Sequence, residues 1–309
     1  MNQTAVKKRS ALPNLFRSIA ENPVILKELR GRMRGRRAFI SLTLYLVLIS
    51  LFIGGIYAIL EVQGNVARLD PSFRQNVGKV IFSSVVLFEF LLIGFIGPSL
   101  TAGAITGERE HRTFDLLRTT LLSARALVFG KLGSACMYLL LLVFTALPIE
   151  ALAFLLGGVG IEEVLISGVM LMVNIVFFCS LGLFCSSFSR RTLTANVTSY
   201  ALILLSVLAL GMIYFVLAVF ASGFGNSSYS QATQDLLAMI IWVLTSTNSF
   251  TAAIVSEVLL ISNQTIFFGK APSGNLYIIS PWILHIALYS VLTAIMLFLS
   301  VLFVKRPDR

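Results

Sequence analysis

"TAGAITGEREHRTFDLLRTTLLSAR", Thr101 to Arg125, is a compact mixed-charge stretch set between two long apolar runs. It places Glu108, Arg109, Glu110, His111 and Arg112 side by side and then turns half apolar. Gly107 breaks the apolar run ahead of it. Glu108 and Arg112 stand at i, i+4 in the favourable acid-first order, and two carboxylates fall in a first turn, where a helix dipole favours negative charge. Phe114, Leu117 and Leu121 approximate an apolar stripe, and Ser123 can cap the start of the next run. The pattern predicts a short amphipathic helix over residues 106–122, joined rigidly to an apolar run on each side.

Those flanking runs set the fold. Of 309 residues, 57% are hydrophobic and 12% charged, where soluble domains carry about 25% charged residues. Mean hydropathy is +0.90, so lipid is the solvent for most of the chain. Six runs, 38–60, 79–102, 126–156, 161–188, 193–221 and 280–304, each exceed the roughly 20 residues needed to cross about 30 Å of hydrocarbon. The expected fold is all-α and polytopic, a single transmembrane domain over 1–309 with no room for a large soluble domain. Between the fifth and sixth runs, Leu236–Leu244 is too short to cross. The polar run Thr245-Ser246-Thr247-Asn248-Ser249 interrupts it, and Phe250–Ile261 follows. This predicts a re-entrant helical hairpin over 235–262, placed on the extracellular side.

Charge orients the spans. With six crossings, one side keeps only Arg68, Arg74, Lys79 and Lys270, and the other holds the remaining 20 of the 24 lysines and arginines. The positive-inside rule then puts both termini and the 103–125 segment in the cytoplasm. A seventh crossing would strand Lys305, Arg306 and Arg309 outside. The same asymmetry accounts for the net charge of +10 without nucleic acid. No cleavable signal is expected, because the first apolar run begins near Ala38 behind a basic leader and is too long for a signal core. In that leader Asn22-Pro23 can start a helix. Ile25, Leu29 and Met33 then share one face, with Lys27, Arg30, Arg34 and Arg37 around the rest. An amphipathic helix over 22–37, lying along the inner membrane surface, is expected.

Chemistry is sparse. Cys136, Cys179 and Cys185 sit in apolar runs without a CxxC pair and read as small buried hydrophobes. Two histidines, no HExxH and four aspartates outside the spans give no metal site and no catalytic residues. Glu89, mid-span, is costly in lipid. It reads equally as a substrate or proton contact and as a helix–helix hydrogen bond. Glu150 follows Pro148 near the outer end of its span and reads as structural, as a snorkelling carboxylate. His285, in the outer third of the last span, reads as an interhelical hydrogen bond rather than a ligand.

Four stretches carry a family resemblance. "NPVILKELRGRMRGRRAF" ahead of the first span resembles the opening of bacterial type-2 ATP-binding-cassette (ABC) exporter permeases. "LTAGAITGEREHRTFDLLRTTLLSARALVFGK" is similar to their stretch between spans two and three. "LPIEALAFLLGGVGIEEVL" and "GLFCSSFSRRTLTAN" are similar to their next two turns. The likeness covers roughly residues 22–200, and the last third by hydropathy alone. It implies that 106–122 is a coupling helix seated in a groove of an ATPase subunit, with Glu108, Arg109, Glu110, Arg112, Thr113 and Phe114 in contact roles. Leu121 departs from the proline that many relatives carry there. The resemblance also implies two permease copies, a homodimer or a related heterodimer, in a bacterial plasma membrane, with ATP and Mg on the partner ATPase. The chain itself is expected to be no enzyme and to bind no cofactor. Consistently, none of its three Gly-Lys pairs has the earlier glycine of a Walker A motif, since Phe73, Arg125 and Gln264 stand there. The rival reading is a stand-alone secondary transporter or channel, disfavoured by the absence of a visible inverted repeat.

Overall fold

The computed structural model describes residues 23–64, 71–114, 123–156, 159–223, 231–261, 267–270 and 277–305. The cap expected at Asn22, the stripe residues Leu117 and Leu121, and the C-terminal half of the 106–122 segment lie outside the described residues. A short helix α1 (Pro23–Met33) precedes six long ones. These are α2 (Arg36–Gly64), α3 (Pro71–Thr101), α5 (Ala124–Leu156), α6 (Ile161–Phe188), α7 (Thr192–Gly223) and α10 (Pro281–Lys305). Between them come the five-residue α4 (Thr106–Glu110) and the pair α8 (Gln231–Thr247) and α9 (Ser249–Ile261). Each long helix contains an apolar stretch long enough to cross a membrane, six in all among the described residues.

Helix α6 is the hub. It packs against α3, α5, α7 and α10, and 56% of its apolar window is buried. Close approach to α3 depends on small residues, as membrane interfaces generally require. A Cβ on Gly182 would lie 2.8 Å from Pro98 Cα and would run into the Thr101 hydroxyl, while one on Gly97 would lie 3.1 Å from Phe178 Cβ. Helices α2 and α7 are peripheral, with only 11% and 6% of their windows buried. Helix α1 lies on α5 through Ile25, which is buried against Gly133. The chain then swings into α2 through Gly35, whose φ of +91° suits a residue without Cβ.

The stretch expected as a hairpin forms a bent helix pair that breaks more sharply than the polar run suggested. Helices α8 and α9 meet at 115°, and Asn248 alone interrupts them. Thr245, Ser246 and Thr247 remain helical, and each hydroxyl is satisfied by donating back to a carbonyl of its own helix, at 2.8, 3.0 and 2.6 Å. Asn248 Oδ1 accepts from Phe250 N at 3.0 Å and so caps α9. A small antiparallel ribbon, β1 (Phe268–Lys270) with β2 (Tyr277–Ile279), precedes α10. Trp242 Nε1 donates to Ile279 O at 2.7 Å and ties α8 to it. Hydropathy did not anticipate this ribbon.

Candidate functional site

The charged segment grows directly from the end of α3. A turn over 102–105 hangs on the far end of α6, because Ser186 Oγ accepts from both Ile105 N and Thr106 N at 3.0 and 3.1 Å. Helix α4 then runs only to Glu110. His111 closes it, Arg112 N donates to Arg109 O and Thr113 N to Glu108 O, at 3.0 and 2.9 Å. Arg112 has φ +56°. Those two bonds around a left-handed residue are a Schellman stop. The 106–122 stretch is therefore not one continuous helix. It is one turn, a left-handed stop, and helical backbone again at Phe114.

The stop redirects the side chains. Arg112 is turned outward, so the expected i, i+4 pair with Glu108 is replaced. Glu108 Oε1 instead takes Lys131 Nζ at 3.2 Å, and Thr113 Oγ1 donates to Glu108 Oε2. Lys131, buried in α5, also donates to Glu28 of α1 at 2.9 Å. Glu28 pairs with Arg32 at 3.6 Å, and Arg32 Nη2 donates to Leu100 O at 3.0 Å. One chain of charges thus joins α1, α3, α4 and α5. Arg109 reaches the other way, donating to Ser189 O at 2.7 Å while its guanidinium stands 5.2 Å over the buried Phe114 ring. Glu110 accepts from Thr192 N at 2.8 Å and from its hydroxyl at 2.9 Å, so a carboxylate sits on the first turn of α7.

These bonds tune the carboxyls. Burial pushes the Glu108 carboxyl up, but the Thr113 hydroxyl and the Lys131 ammonium outweigh it and hold it below its usual range. The Thr192 amide and hydroxyl hold Glu110 low as well. Of the six expected contact residues, Glu108, Arg109 and Phe114 face this chain and Thr113 is half-buried, whereas Glu110 and Arg112, with His111 between them, form the exposed tip. Sequence reading missed Lys131, Ser186, Thr192 and Glu28 as partners. The one usable signal was Lys131, a lone cation inside an otherwise apolar run.

The three intramembrane polar residues fall in two places. Glu89 is fully buried, and Tyr45 OH donates to its Oε1 at 2.9 Å. Glu150 turns inward toward Glu89 rather than snorkelling to the helix end. His285 sits at the hairpin tip. Asn174 Nδ2 donates to Met170 O at 2.8 Å and lies 3.1 Å from His285 Nε2, and His285 Nδ1 lies 3.0 Å from Ser246 O. With Ser249 Oγ donating to Asn174 Oδ1 at 2.7 Å, the amide is fixed, so Nε2 accepts and Nδ1 carries the hydrogen. His285 is an interhelical bond that seats the hairpin. Among the described residues no group of three metal-ligating side chains occurs.

A cleft of about 640 Å³ opens between α3 and α7, lined by Phe90, Phe95, Phe178, Tyr200, Leu204 and Phe250 among others. Comparison with known proteins gives one family: the sequence model of the ABC-2 family transporter proteins matches residues 23–308. No curated protein matches the chain.

Proposed function

The chain belongs to the ABC-2 family of transporter proteins and is a multi-pass membrane permease of that family; from that premise we propose that it is the transmembrane subunit of an ATP-driven exporter. A separate ATPase subunit, carrying ATP and Mg, docks on the tip at Glu110, His111 and Arg112. Glu108, Arg109, Thr113 and Phe114 brace that tip. Two copies of the permease, identical or related, enclose the substrate path. Both termini lie in the cytoplasm of a bacterium, α1 lies in the plane of the inner leaflet, and the hairpin lies toward the outside. The observation that carries this reading is the mooring of one short charged segment to four long helices at once. Motion imposed on such a knob passes to α3, α5, α6 and α7 together, as a rigid lever requires. The exposure of Lys27, Arg30 and Arg34 around the buried Ile25 supports the in-plane placement of α1.

The test is reconstitution of the full chain with the ATPase of its host. The double variant Glu110→Ala, Arg112→Ala should insert and melt much like the parent, yet lose most ATPase co-purification and ATP-driven transport. Undiminished ATP-driven transport by this variant removes the docking assignment. Purification without any ATPase, together with nucleotide-independent flux, would establish the channel or secondary-transporter reading instead.

A further inference from the structure

Two carboxyls from different helices meet inside the bundle, with no positive group beside them among the described residues. Glu89 of α3 is fully buried and Glu150 of α5 is 9% exposed. They lie within hydrogen-bonding reach of each other. Tyr45 of α2 satisfies Glu89 Oε1, while Glu89 Oε2 and Glu150 Oε1 are buried without a donor. A bond between two carboxyl groups needs a hydrogen on one of them. Two ionised carboxylates at that separation, away from water, would repel strongly. A salt bridge does not resolve this, because among the described residues no lysine, arginine or histidine contacts either group. The titratable groups facing the pair are each other and Tyr45. On α6 the buried Glu163 is itself paired with Lys79 at 3.2 Å. A hydrogen held between the two oxygens satisfies both.

We propose that Glu89 and Glu150 form a proton-binding site within the membrane domain, closed by the Tyr45 hydroxyl. The bound proton bridges the two carboxyls while α2 is seated. Helix α2 is the natural door. It presents Tyr45 and Ile49 inward and leaves most of its apolar surface uncovered, so it can swing away without breaking a large interface. Release of the proton needs the Tyr45 bond broken and a water admitted beside Glu89 to accept it, and a shift of α2 relative to α3 does both.

The test is infrared spectroscopy of the full chain in lipid nanodiscs at neutral pH, without nucleotide or partner. It is therefore independent of the transport assignment. The difference between the parent and Glu89→Gln, Glu150→Gln should contain a protonated-carboxyl C=O band that moves down in D2O. Each single glutamine variant should reduce that band, since its amide can donate to the remaining carboxyl and preserve the fold. Tyr45→Phe should shift the band upward as Glu89 loses its donor, and this holds even where the double variant does not fold. A difference spectrum with ionised-carboxylate bands only would mean that another cation fills the site. A band indifferent to Tyr45→Phe would remove the tyrosine from it. Either result overturns the proposal.

Discussion

Arg112 stands at a backbone angle that glycine normally takes. A residue with a Cβ in the left-handed region crowds the following carbonyl, at roughly 1–2 kcal/mol, and the stop of α4 demands that region through two hydrogen bonds. Arg112→Gly should therefore raise the stability of the segment by about 1 kcal/mol, seen as a higher melting temperature of the purified permease. If the exposed guanidinium is a docking contact, the same variant should lose ATPase binding while gaining stability. A fall in melting temperature would mean that the arginine side chain holds the tip together. Single-residue partnerships were largely invisible in the sequence. The spacing of Glu108 and Arg112 licensed a pair that the left-handed stop forbids. Lys131, 23 positions away, takes that place. Nothing local marks such a partner, because it depends on where two helices end relative to each other.

Element boundaries follow from the solvent. A helix in lipid must satisfy every backbone group internally, so an apolar run long enough to cross folds in one way. The six long helices track the six apolar runs, each run being contained in its helix to within a residue or so at either end. The break between α8 and α9 was legible too, because two half-length apolar runs around hydroxyl residues cannot each span. The ribbon over 268–270 and 277–279 was not, since three-residue strands leave no periodicity to read. Helix contact was not legible, and Gly182 shows why. Its missing side chain lets the α3 backbone come so close that an added methyl would lie 2.8 Å from Pro98 Cα. Backbone on the far side cannot turn aside as a side-chain end can. Gly182→Ala should cost about 1–3 kcal/mol, measured by thermal unfolding in detergent. Because Ser186 sits one turn further along α6, the wedge should also lift it from Ile105 N and Thr106 N. Faster amide exchange at those two positions, beyond that of the rest of α3, is the expected sign. Equal acceleration along the whole helix would mean global loosening only.

At the scale of the molecule, the uneven burial of the helices carries the last prediction. Helices α2 and α7 are both nearly bare, yet they differ in what lies beside them. Helix α2 covers the Glu89 pair on one face, and the rest of its apolar surface is bare and suits lipid. Helix α7 borders the apolar cleft with α3, and Leu204 there is 60% exposed. That cleft is open along one side, and a second copy laid against α7 would close it into a path shared by two chains. In lipid the gain cannot come from hiding apolar surface, since acyl chains are as apolar as leucine. It must come from packing of complementary shapes, and a recessed cleft supplies such a shape. In a background with Cys136, Cys179 and Cys185 replaced by alanine, Leu204→Cys should therefore give a cross-linked dimer with a short bifunctional maleimide in native membranes. Leu51→Cys on α2, 68% exposed, should stay monomeric under the same reagent. Cross-linking at position 51 without cross-linking at 204 would place the contact on α2 and leave the cleft facing lipid. The tip below would then have to move a helix that no second copy touches, and the lever reading would lose its purpose.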